Sequence, residues 1–344
     1  MSLPRSAPRW ALAALVAVAA VLAVVLVAND DEANGGPEAA AAKADWSRQP
    51  SSPLSRTEVG GARIGGSIYV LGRFVPGTGD TTDQVARYDV EAGTWELVDP
   101  MPVGVNHPAV ASFGGRLYVH GGYTADAGLE GEVDLLQRYD PASGDWTQLS
   151  PSGVPRAAHV LVPARKRLWA IGGAHQGGAP LRLVQSYDPA GDRWSAGRAM
   201  PTAREHIGGA AVGPRIFVLG GRAGGENLAV AERLDTRSGK WAKLPRMRTA
   251  RSGFGGAAVR GRVVAVGGEE LTPGGATIAP VEIYDPRRKR WSKLPPMITP
   301  RHGLAVVAAG RSVFALEGGP NPGLAFSPAN EMLRVPRKLL RRGR

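Results

Sequence analysis

The chain has no cysteine, which excludes disulfide cross-links and thiolate chemistry and leaves packing alone to stabilise it in any redox compartment. Aromatic residues make up only 6% of the 344 positions, and lysine is scarce, with seven against thirty-five arginines. Apolar runs long enough to span a bilayer are nearly absent: there is one, over residues 10–28. No glycine-rich segment has the strand-to-helix context of a phosphate cradle; residues 173–178 read as a loop of a β protein. No nucleic-acid recognition motif is present, so the net charge of +12 is not read as a nucleic-acid footprint. Turn chemistry is plentiful, with 47 glycines and 28 prolines.

The informative presence is a repeat. Trp46, Trp95, Trp146, Trp194, Trp241 and Trp291 each stand ten residues before a landmark: Arg56, Val105, Arg156, Arg204, Arg251 and Arg301. Successive tryptophans are 49, 51, 48, 47 and 50 residues apart, long enough for one four-stranded unit. Sixteen residues after four of the landmarks comes a glycine doublet ending an apolar run: Gly121 and Gly122, Gly172 and Gly173, Gly220 and Gly221, Gly267 and Gly268. The same offset from Arg56 reaches Gly72, followed by Arg73, and from Arg301 it reaches Glu317, with the doublet slipped by one to Gly318 and Gly319.

Four to six apolar residues ahead of each doublet suit a strand buried on both faces. The doublet gives φ freedom and lets neighbouring chains approach closely. Asp89, Asp140, Asp188, Asp235 and Asp285 lie six residues before five of the tryptophans, four of them directly after a tyrosine. Segments such as 140–146 carry hairpin turn chemistry, with the Tyr and Trp covering the blade face.

The doublet, the tyrosine and the tryptophan seven residues beyond it resemble the kelch repeat family over residues 46–335. The resemblance implies an all-β, six-bladed β-propeller with blades around a central channel. Trp46 lacks a doublet before it, and Asn330 to Arg334 align with Ala231 to Asp235 but lack a following tryptophan. The last blade should therefore take its fourth strand from the N-terminus, a closure that removes sheet edges. Without cysteine, the copper site of the galactose oxidase relatives is excluded, and no cofactor is expected.

Ahead of the propeller, a basic leader (1–9) precedes the apolar stretch 10–28, which as a helix spans about 28 Å, close to the ~30 Å bilayer core. Arg5 and Arg9 stand before it, and no small-residue cleavage site ends it, so it reads as an uncleaved transmembrane signal anchor with the propeller outside the cytoplasm. Secretion after signal cleavage is the alternative. Residues 29–45 read as a flexible linker, and residues 336–344 as a basic tail that ends solvated and disordered. A monomeric propeller is expected.

Arg56, Arg156, Arg204, Arg251 and Arg301 should form a partial ring, interrupted by Val105. The resemblance implies that they line the channel mouth and meet acidic ligands, which guanidinium groups grip bidentately. The alternative is that they bond loop carbonyls between blades. Glu269, Glu270 and Glu317 flank doublets; a carboxylate beside the ring could act as general base, but exposed loop positions are expected. His107, His159, His206 and His302 stand at differing offsets, so no metal cluster is expected. Length variation is confined to the loop after each doublet, on one face of the disc, the usual place for recognition. The reading is a membrane-tethered module binding a protein or acidic glycan. The alternative is an enzyme similar to the kelch mutarotases of N-acetylneuraminate.

Overall fold

The computed structural model describes residues 45–341 except 73, 75, 127 and 272–274. The expected leader and anchor (1–28) lie outside the described residues, and among those described no helix is long and apolar enough to cross a membrane.

Six four-stranded antiparallel sheets follow one another around an axis. The first blade runs outward from the axis as Gly60–Ile64, Ser67–Leu71, Val85–Asp89 and Thr94–Val98. The innermost strands of the next five are Ala109–Phe113, Val160–Ala164, Gly208–Val212, Gly255–Val259 and Ala305–Ala309, each touching the innermost strands on either side. Small residues allow this convergence: a Cβ on Gly256 would lie 2.8 Å from the backbone nitrogen of Gly209.

Each second strand is almost entirely buried, as in Arg262–Val266, because neighbouring blades cover both of its faces. The core is accordingly divided into six apolar clusters, one in each interface between adjacent blades. At the rim every repeat tryptophan ties its blade to the preceding one. The indole Nε1 groups of Trp46, Trp95, Trp146, Trp194, Trp241 and Trp291 donate to the carbonyls of Pro295, Pro50, Asp99, Ser150, Arg198 and Pro245 at 2.8–3.0 Å.

The ring closes as expected. Trp46–Gln49 pairs antiparallel with Asn330–Arg334 and completes the sixth blade, Trp46 lying opposite Leu333.

The glycine doublets also have separable roles. The first glycine takes φ 51–69° and the second 93–112°, at Gly121/Gly122, Gly172/Gly173, Gly220/Gly221 and Gly267/Gly268. A Cβ on the second would lie 2.6–2.8 Å from the carbonyl oxygen of Asn106, Ala157, Glu205 or Ser252. In the sixth blade the doublet is not slipped. Glu317 holds the first position at φ 57°, and the Gly318 amide donates to the Arg56 carbonyl as the Gly268 amide does to Arg301.

The tail differs from expectation. Arg337–Leu340 forms one helical turn, and Leu339 and Leu340 pack on the cluster between the fifth and sixth blades, an apolar pair sufficient to seat an otherwise basic stretch.

Candidate functional site

The five arginines expected at the channel mouth are fully buried. Four of the guanidinium groups, those of Arg56, Arg204, Arg251 and Arg301, lie where the second and third strands of their blade diverge and donate to backbone carbonyls there, while Arg156 bonds only the Gln185 side chain. Arg204 reaches the Gly220 and Val230 carbonyls at 3.0 Å, and Arg251 those of Gly267 and Pro280 at 2.9 and 2.6 Å. Arg301 bonds the carbonyls of Glu317 and Ala329, and Arg56 those of Gln84 and Val70.

Their charges are met one position along the third strand. Arg204 pairs with Glu232 and Arg251 with Glu282, both at 2.8 Å, and Arg301 with Glu331 at 3.2 Å. Arg156 has Gln185 there instead, and burial without a carboxylate partner lowers it to about 9. Where the landmark is Val105, packed in the apolar interface of the first two blades, the equivalent Gln137 turns to the backbone of Val103. These arginines therefore do not line the mouth; all five are buried inside the fold, where four of them bond backbone carbonyls and meet a carboxylate before any ligand arrives. Glu317, expected in an exposed loop, is fully buried and bonded to Arg56, and Glu269 is buried in the cleft described next.

The residue two beyond each landmark turns the chain back at the axis. Glu58, His107, Ala158, His206, Gly253 and Gly303 all adopt φ between 50° and 60°. Their amides circle the channel: His107 donates to Glu58, Ala158 to His107, His206 to Ala158, Gly253 to His206 and Gly303 to Gly253, at 2.8–3.1 Å, and Val59 closes the circuit on Gly303. The ring thus sets side by side residues that are far apart in sequence.

On the loop face this ring floors a cleft of about 310 Å³. The floor holds Glu58, His107, His206, Arg222, Glu269 and His302; Phe74, Leu129, Leu271 and Leu324 form an apolar rim. His107 Nε2 lies 3.1 Å from one oxygen of Glu58, and His302 Nδ1 3.1 Å from the other. His107 Nδ1 meets Asn106 Oδ1 at 2.7 Å, and His206 Nδ1 meets the Glu205 carboxylate. Arg222 bonds Glu205 and reaches Glu269 at 3.4 Å.

Burial opposes ionisation of Glu58, but His107 and the hydrogen bond and charge of His302 outweigh it and hold the carboxyl well below the usual carboxylate range. Burial pushes His107 down, only partly offset by Glu58, and it pushes His206 down with help from Arg222. Burial also opposes a charge on His302, yet Glu58 and Glu269 raise it. Burial raises Glu269.

The offsets of the histidines gave no expectation of a metal cluster, yet one ligand atom from each of Glu58, His107 and His206 lies within 4.8 Å of the others. The available signal was the landmark itself: His107 and His206 both stand two residues beyond it, as does Glu58. His159 points elsewhere, pairing with His120 at 2.7 Å.

Comparison with known proteins agrees with this architecture. The model of the KLHDC2/KLHL20/DRC7 Kelch-repeats domain matches residues 107–319. Kelch-like protein terF of Aspergillus terreus is 31% identical over 195 residues, 52% of this chain and 42% of that protein. Kelch-like protein 25 of Xenopus tropicalis is 34% identical over 176 residues, 49% of this chain and 29% of that one. The chain thus spans less than half the length of these curated relatives. The solved structure of YjhT superposes with a TM-score of 0.71 at 16% identity, covering 82% of this chain and 95% of that one, a likeness of fold. The chain belongs to the kelch-repeat family, as a six-bladed propeller of a class that serves in general as a binding module.

Proposed function

We propose that this chain is a membrane-tethered module that holds its propeller outside the cytoplasm and binds a protein partner on the loop face. The observation that carries the recognition half is the cleft rim. Leu129 and Leu324 are 40% and 51% exposed beside a concave opening, and an apolar side chain of a partner would gain burial there. An acidic glycan suits the cleft poorly. Glu58 and Glu269 on its floor and Glu205 beside them are three carboxylates against two cations, Arg222 and His302, and the five landmark arginines are buried within the blades. The tether rests on the apolar stretch 10–28 with Arg5 and Arg9 before it and acidic residues after it.

Peptides selected from a random displayed library on the purified protein should carry an apolar anchor and lose binding to a Leu129→Asp, Leu324→Asp variant. Ligands that bind the variant as well as the parent would remove the cleft from the reading. Protease added to intact cells should degrade the propeller while it stays in the membrane fraction; a protected or fully soluble propeller overturns the tether.

A further inference from the structure

The floor of the cleft does more than shape it. Asn106 donates its amide nitrogen to Thr81 Oγ1 at 2.9 Å and to the Ala125 carbonyl at 3.3 Å, which fixes its Oδ1 toward His107 Nδ1. His107 Nδ1 must then carry a proton, and Nε2 faces the Glu58 carboxylate oxygen 3.1 Å away, as a second donor when the ring is charged and as a ligand atom when it is neutral. His206 is set the same way: Glu205 accepts from Nδ1 and leaves Nε2 as an acceptor facing the same space. His302 has acceptors at both nitrogens, Glu58 Oε1 at 3.1 Å and the Asn321 carbonyl at 2.9 Å, so it serves Glu58 as a charged donor and is not a free ligand.

We propose that Glu58, His107 and His206 bind a divalent first-row transition-metal ion through the carboxylate and the two Nε2 atoms, with further coordination positions open to the cleft. Two imidazoles and one carboxylate are a borderline donor set suited to Zn²⁺ or Fe²⁺ rather than to the oxygen-seeking Mg²⁺ or Ca²⁺. A cation has to separate the His107 lone pair from the carboxylate; a metal ion does so for all three groups together, whereas a proton serves one pair. Each imidazole has its other nitrogen held by an acceptor, the arrangement that orients ligating histidines in metal sites. Metal–ligand bonds of roughly 2.0–2.2 Å require the ligand atoms to draw together from within 4.8 Å, a matter of side-chain rotation. The three ligands share one repeat position whose left-handed backbone favours glycine, which stands there in two other blades. Arg222 Nη2 donates to His206 Nε2 at 3.4 Å, a long bond that the metal displaces, and its charge opposes the cation.

The test is a titration of the chelator-stripped full chain, purified in detergent, with Co²⁺ followed by visible absorption and calorimetry. It needs no protein partner, so its outcome is independent of the proposed recognition role. One saturable equivalent, displaced by Zn²⁺, is expected. His107→Ala and His206→Ala should lose more than the roughly 100-fold that marks loss of an orienting partner, and Asn106→Ala should weaken binding about 10- to 100-fold. Both alanine variants should fold, because Ala158 already occupies the equivalent position at φ 52°. Arg222→Ala should bind more tightly, a change of opposite sign that damage to the fold would not produce. Absence of saturable binding to the parent protein, or unaltered affinity in either histidine variant, overturns the proposal.

Discussion

Arg56 and Glu317 join the first blade to the sixth: the guanidinium donates to both carboxylate oxygens, with Nη2 to Oε1 at 2.6 Å, and both side chains are fully buried. The other paired arginines find their carboxylate on the third strand of their own blade, at Glu232, Glu282 and Glu331. The first blade has Ala86 at that position, so the charge is met from across the seam.

Glu317→Gly separates two effects. It restores the glycine of the other blades and relieves a left-handed side chain, worth about 1–2 kcal/mol, while stranding a buried guanidinium, which costs about 3–5 kcal/mol. A net loss of roughly 2 kcal/mol in denaturant unfolding is expected. Equal or greater stability would show that the pair does not hold the seam.

Trp46→Ala should destabilise the whole ring by about 3–5 kcal/mol, because a buried indole and its bond to the Pro295 carbonyl are lost from the closing strand. Deletion of residues 46–49 should do at least as much. An unchanged thermal midpoint for the deletion would refute the closure.

Val105→Arg would place a guanidinium in an apolar interface opposite Gln137, with no carboxylate available, at a cost of about 3–5 kcal/mol. Adding Gln137→Glu should recover about 0.5–3 kcal/mol as coupling in a double-mutant cycle. Additive losses would mean that the arginine and third-strand carboxylate do not act as a pair.

His120 and His159 share a 2.7 Å hydrogen bond in full burial, and burial, with the charge of Arg156 adding to it, holds both well below the ordinary value of 6.5. The unfolded chain takes up protons below pH 6.5 that the folded pair refuses, so stability should fall as pH drops below 6.5. His120→Leu should reduce that slope in a plot of melting temperature against pH. An unreduced slope would mean the pair is not held neutral.

The fold was legible because each blade repeats the same local solution: an apolar strand, a doublet such as Gly267 and Gly268, an Asp-led hairpin and Trp291 at one spacing. The borrowed strand at Trp46 was legible for the same reason, since an orphan fourth strand and an unfinished blade are visible as breaks in the period. The arginines were found but misplaced. Their constant offset marks a repeat position, and a repeated position is satisfied by its own blade as readily as by a ligand. The partner at Glu232 or Gln185, some thirty residues downstream, carries no pattern that declares it.

By itself, the sequence determined six blades, their closure and the face on which loop length varies, all consequences of short-range periodicity. The tertiary structure decided which polar residues face the axis. A closed ring brings one residue from every blade to the same point, and there Glu58, His107 and His206, unremarkable in their separate segments, become neighbours. Proximity of that kind comes from the closure of the circle, which no single repeat contains.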